Sequence, residues 1–170
     1  GTGIKQVKVV SVVGQDEETA KKTLEDLGLV IEKVNYSKDK SQTNGVVLEQ
    51  SLSANTTVDE GSKITLTVNK YDEDKDCTVN VNVASITGYT KKTDEDGKEI
   101  EPEKVTVSVY VDDKEYNTKS SKMNEEKYSA TIKAAGAVSI KVVVKDSTGK
   151  TLASDTKSVN LNNTISVDFK

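Results

Sequence analysis

GQDEETAKKTLEDLG, residues 14–28, is the stretch in which apolar side chains recur at helical spacing: Ala20, Leu24 and Leu27 fall on one face of a 3.6-residue period. Asp16 stands where an N-cap belongs, able to accept from the free amide groups of a first turn. Glu17 and Glu18 put negative charge at the positive end of the helix dipole. Gly28 suits the left-handed residue that ends a helix. Working outward, Val7, Val9 and Val10 predict a short extended start. After Gly28 the period changes, and Leu29 to Tyr36 is rich in β-branched residues and reads as a strand. Ser37 to Gly45 is a polar loop, Val46 to Leu48 a second strand, and Glu60-Gly61 a turn. Ile64, Leu66 and Val68 then alternate with polar residues, so one face meets a core and the other meets water. The order is strand, helix, then three strands, an α+β unit with one helix packed on a three-stranded sheet.

Two separated segments of this unit carry a resemblance. VVSVVGQDEETAKKTLEDLGL (9–29) resembles the opening of a PASTA domain, and NGVVLEQSLSANTTVDEGSKITLTVNK (44–70) resembles its second half. Gly45, Val47, Gln50, Ser51, Thr56, Val58, Gly61, Ile64, Leu66 and Val68 fall at the family's offsets. The chain departs from the usual pattern at Val10 and Leu52, where the family more often has Pro, and at Asn55, where it has Gly. The resemblance implies an extracellular module of the kind found in bacterial serine/threonine kinases and at the C-termini of some penicillin-binding proteins, associated with sensing peptidoglycan fragments. Some members hold muropeptide carboxylates with an Arg and an acidic residue. All 24 basic residues here are Lys, so any replacement cation is a Lys.

Residues 71–76, YDEDKD, read as a charged linker between a domain at 1–70 and another at 77–170. Beyond them the period is two. Val79, Val81 and Val83 alternate with polar residues, as do Val105 to Val111, Tyr128 to Ile132, and Val138 to Val144. Leu152 to Leu161, Ile165 to Phe169 and a short strand near Glu115 to Ser120 bring the prediction to about seven strands. Asp96-Gly97, Asp112-Asp113, Ala135-Gly136 and Ser147 to Gly149 are the turn signals. Many short, regularly spaced strands predict an all-β immunoglobulin-like sandwich, without the Cys and Trp signature of antibody domains.

The 170 residues carry a net charge of −4, which argues against a nucleic-acid binder. There is no His, no nucleophile elbow and no phosphate loop, so no catalytic residue, cofactor or metal site is assigned. Lone Cys77 reads as a small buried apolar residue. The acidic run DEDGKEIE (94–101) reads as a solvated loop tip. No apolar run approaches the ~20 residues that span a bilayer, so a membrane anchor is expected only in a segment outside this sequence. The expected function is a non-catalytic, monomeric ectodomain that senses or binds peptidoglycan fragments at the C-terminus of a membrane serine/threonine kinase, on the outer surface of a Gram-positive bacterium. The alternative is a structural spacer or localisation module, including one of a penicillin-binding protein. Tyr36, Asp39 and Lys40 in and beside the polar loop are the candidate ligand-binding residues.

Overall fold

The structure is a computed structural model that describes residues 3–170. The chain divides into two compact units, residues 1–71 and 72–170.

In the first unit, β1 (Gln6–Lys8) precedes α1 (Glu17–Asp26), followed by β2 (Val30–Ser37), β3 (Val47–Gln50), β4 (Thr57–Asp59) and β5 (Lys63–Asn69). The helix begins as its sequence dictates: the Asp16 carboxylate accepts from the Thr19 amide at 3.0 Å. It ends at Leu27, and Gly28 follows with φ 93°. A side chain there would also meet Glu60, whose Cγ lies 2.8 Å from where a Cβ would stand. Strand β5 is central in a sheet ordered β2-β5-β3, parallel to β2 and antiparallel to β3. Ala20 and Leu24 of the helix are buried with Ile64, Leu66 and Val68 of β5 and Val47 of β3 in one core. The helix-on-three-strands expectation therefore describes the main layer. A second sheet, β1 paired antiparallel with β4, was missed because Thr57-Val58-Asp59 is too short for a periodic signal.

The departures from the family pattern have local explanations. Asn55 has φ 71°, and Asn is the non-glycine residue best able to occupy that left-handed region. Leu52 packs against the core instead of stiffening its loop. The Gln50 side chain ties the two halves of the unit together. Its oxygen accepts from the Val12 amide at 2.8 Å, and its nitrogen donates to the Val10 and Leu52 carbonyls at 3.0 and 2.8 Å.

In the second unit the elements are β6 (Lys75–Val81), α2 (Val83–Thr87), β7 (Lys104–Val111), β8 (Lys114–Lys122), β9 (Tyr128–Ala134), β10 (Gly136–Asp146), β11 (Thr151–Leu161) and β12 (Ile165–Phe169). They form a four-stranded sheet, β11-β10-β7-β8, and a three-stranded one, β12-β6-β9. The alternating valines point into the space between them. Cys77, Val79 and Val81 of β6 and Ile132 of β9 share a core with Val107 and Val109 of β7, Ile140 and Val142 of β10, and Phe169. Cys77 is fully buried there, and burial pushes its thiol pKa up, so it packs as a hydrophobe.

Seven strands divided four and three match an immunoglobulin constant-type sandwich in number, but the pairings depart from it. The first strand of the unit, β6, lies between the fourth (β9, antiparallel) and the seventh (β12, parallel). The third, β8, pairs with the second instead of crossing to the other sheet. Strand number follows from alternation and turns. Pairing follows from which edges meet, which alternation does not encode.

One further expectation needs correction. The alternation through Val83 overruns its strand: Asn82 accepts from the Ser85 amide as an N-cap, and Val83 is buried from the first turn of α2. The turn signal at Ala135-Gly136 falls between β9 and β10. It carries the chain from the three-stranded sheet to the four-stranded one, with Gly136 at φ 69°. Within the segment 71–76, the Tyr71 backbone is bonded in both directions to the Asn44 side chain, at 2.8 and 3.1 Å. Lys75 and Asp76 already belong to β6.

Candidate functional site

Strand β2 is an edge strand, and near its end Tyr36 is 52% exposed. Its hydroxyl donates to the Glu17 carboxylate of α1 at 3.2 Å, and the Lys70 ammonium sits over its ring at 4.9 Å from the centroid. Lys21, one helical turn beyond Glu17, pairs with it at 2.8 Å. The bond from Lys21, before all else, holds the Glu17 carboxyl below the usual range. Glu17 in turn raises the pKa of both Lys21 and Tyr36, so the phenol stays neutral and the ammonium charged. The result is an exposed aromatic face with two lysines and one carboxylate fixed around it. Such a face can stack a ring or an aliphatic chain and pair with carboxylates.

Tyr36 thus stands in a cluster whose other members, Glu17, Lys21 and Lys70, sequence reasoning did not select. They read as ordinary solvated helix and strand-end charges. The i, i+4 spacing of Glu17 and Lys21 was the visible signal for one pair, but nothing local places either beside Tyr36.

Asp39 has a different occupation. One of its oxygens accepts from the Ser41 amide at 2.9 Å and from the Ser41 hydroxyl at 2.5 Å, and the other from the Gln42 side chain at 3.1 Å. Its carboxylate therefore shapes its own loop. Lys40 is exposed on the same loop. The loop is moored by Asn69, which is fully buried and lies directly before Lys70. Its side-chain oxygen accepts from the Asp39 amide at 2.9 Å. Its nitrogen donates to the carbonyls of Asp39, Gln42 and Thr43 at 2.8, 3.1 and 3.0 Å.

These carboxylates make the unit sensitive to acid. Hydrogen bonding from Thr19 lowers the pKa of Asp16, and bonding from Ser41 lowers that of Asp39. A carboxyl more acidic when folded than when unfolded contributes stability above the unfolded value and loses it as pH falls through the folded one. The denaturation midpoint of the first unit is expected to fall below about pH 4. Asp16→Asn still accepts at the N-cap and should flatten part of that slope. A midpoint constant from pH 6 to about pH 3 would contradict the assignment.

Among the described residues, no group of three or more His, Cys, Asp or Glu side chains could hold a metal ion, and no helix is long and apolar enough to cross a membrane. The acidic run 94–101 is a hairpin tip in which the Asp94 carboxylate accepts from the Asp96 and Lys98 amides, each at 2.9 Å.

Residues 7–70 match the sequence model of the PASTA domain. A protein of Clostridium perfringens (strain 13 / Type A) described as a "Probable serine/threonine-protein kinase" is 37% identical over 76 residues. Those residues are 45% of this chain, and the chain spans only 11% of that relative's length. Among solved structures, the extracellular region of the Ser/Thr kinase PrkC from Staphylococcus aureus aligns with 91% of this chain and 52% of its own at 24% identity, with a TM-score of 0.36.

Proposed function

We propose that the chain, whose residues 7–70 match the PASTA domain model, is a non-catalytic, extracellular piece of a Gram-positive membrane serine/threonine kinase that senses or binds peptidoglycan fragments. The observation that carries this reading is the exposed Tyr36 ring with Lys70 over it and Lys21 held by Glu17 beside it. Peptidoglycan fragments combine sugar rings, aliphatic side chains and carboxylates, and an aromatic face flanked by lysines complements all three. On this reading the lysines supply the positive charge that some family members draw from an arginine, as point charges without the bidentate fork. Weaker, more salt-sensitive binding follows from that exchange. Asp39 and Lys40 lie on the loop after β2 that Asn69 moors, and on this reading they contribute to the same ligand site. On this reading the immunoglobulin-like sandwich of residues 77–170 carries no part of the ligand face and sets the position of the module.

The test is a titration of the 170-residue chain with a purified muropeptide, followed by amide NMR. Shifts are expected at Tyr36, Lys70 and Lys21. Tyr36→Ala and Lys70→Gln should each weaken binding about tenfold, some 1.4 kcal/mol. An unmoved spectrum at about 5 mM ligand, a concentration that would load even a millimolar site, would leave the spacer or localisation role as the function of the module.

A further inference from the structure

Asn44 alone among the asparagines of this chain is followed by Gly. That pair is prone to self-reaction, because a residue without a side chain leaves its amide nitrogen unhindered against the carbonyl carbon of the preceding side chain. The fold restrains both reacting groups. The Asn44 side-chain oxygen accepts from the Tyr71 amide at 3.1 Å, and its nitrogen donates to the Tyr71 carbonyl at 2.8 Å. The nucleophile, the Gly45 amide, donates to the Asn69 carbonyl at 2.8 Å. Gly45 is fixed at φ 86°, and its own carbonyl accepts from the Glu17 amide at 3.2 Å.

One short segment, residues 69–71, therefore holds the nucleophile through Asn69 and the electrophile through Tyr71. Tyr71 is also the last residue of the first unit, so fraying from that end reaches this clamp before it reaches β5. The clamp opens from its other side when the loop 37–45 slips its mooring on the Asn69 side chain. The chemistry that follows is one-way. The freed Gly45 nitrogen, deprotonated by hydroxide, attacks Asn44 Cγ. A carbon–nitrogen bond forms to Gly45, the side-chain carbon–nitrogen bond breaks, and ammonia leaves with a proton from water. The succinimide then takes up one water and opens to aspartate or isoaspartate. The net exchange is amide plus water for acid plus ammonia, with no redox partner. An aspartate at this position keeps an acceptor for the Tyr71 amide but sets a charged oxygen, without a donor, against the Tyr71 carbonyl. Isoaspartate also lengthens the main chain by a methylene. Neither product restores the clamp.

We propose that Asn44-Gly45 is a latched modification site, intact while residues 69–71 lie on it and deamidated irreversibly once they lift, so that the product records opening of this end of the unit. The site does not depend on the reading of Tyr36 as a ligand face. The 170-residue chain is incubated in mildly alkaline buffer, folded and in urea, and the peptide spanning Asn44 is followed by mass spectrometry and isoaspartate content. Conversion should be at least about tenfold slower in the folded chain, the factor that an opening free energy of about 1.4 kcal/mol gives. Tyr71→Pro removes the N–H that donates to Asn44 and should speed conversion of the folded chain at least about threefold. Asn69→Ala should do the same through the loop. Amide spectra otherwise unchanged verify that both variants fold. Asn44→Asp, the product itself, should accelerate exchange of the Tyr71 amide while helix α1 keeps its protection. Equal rates folded and in urea, or a folded-state rate that neither Tyr71→Pro nor Asn69→Ala changes, overturn the proposal. So does an Asn44→Asp chain whose Tyr71 amide exchanges as slowly as that of the wild type.

Discussion

Phe169→Ala is expected to destabilise the second unit by about 3–5 kcal/mol, the usual range for emptying a buried aromatic site. Phe169 is fully buried and is the largest such side chain among the described residues. It sits on β12, opposite Val81 in the parallel pairing with β6, so its ring fills the core where the three-stranded sheet faces the four-stranded one. The sheets are rigid and meet it from both sides, which limits how far the cavity can collapse. Total stabilities of about 5–15 kcal/mol make this a large fraction. The Lys157 ammonium lies 5.3 Å from the ring centroid and also donates to the Asp168 carbonyl, so its anchor survives loss of the ring. Phe169→Leu should therefore cost much less, under about 2 kcal/mol. Chemical denaturation followed through β6 amide signals reads the effect directly. A loss below about 1 kcal/mol for the alanine variant would mean that the ring is not the filler of that core.

Asn69→Ala is expected to cost the first unit about 2–3 kcal/mol. The loss has a different origin: no cavity of note, but one amide and three carbonyls stripped of their partner. The main-chain bonds through which Asn69 donates to the Val46 carbonyl and accepts from the Gly45 amide, both 2.8 Å, should persist, so the sheet survives and the loop 37–45 loosens. Amide exchange should accelerate there first. Asn69→Asp sharpens the test, because a carboxylate would offer only acceptors to three carbonyl oxygens. It should be at least as damaging as alanine at neutral pH and less so in acid. An Asp variant as stable as the wild type would refute the donor role of this side chain. Since Lys70 follows Asn69 and Tyr36 precedes the moored loop, both variants should also weaken any ligand held on the Tyr36 face.

The two results illustrate how unevenly the sequence discloses this protein. Asp16, Leu24 and Gly28 announce helix α1 and both of its ends because capping and helical period are local chemistry. The valines of β7 and β10 announce which of their faces is buried, because a strand of period two has only two faces. Thr57 to Asp59 and Val83 to Thr87 escaped notice because each is shorter than the period needed to recognise it. Asn69 looked like the polar end of an alternating strand. Its burial depends on a loop that begins some thirty residues earlier folding back over it. Asp39 was legible as a polar loop residue, but its carboxylate serves the loop's own turn.

What the residues determined alone was therefore whatever depends on near neighbours: the helix and its caps, the strand faces, the turn at Asp112-Asp113 with both residues at positive φ, and the two half-motifs of the PASTA family. Only the tertiary fold decided what depends on residues distant in the chain. It placed β6 between β9 and β12, brought Lys70 over the Tyr36 ring and Glu17 under its hydroxyl, and joined the Asn44 side chain to the backbone of Tyr71. The reason is one of range. Backbone preference and side-chain period act over a few residues, whereas pairing of strand edges and meeting of side chains are settled by the whole packed unit, where many registers satisfy the same local pattern and only one buries every apolar face.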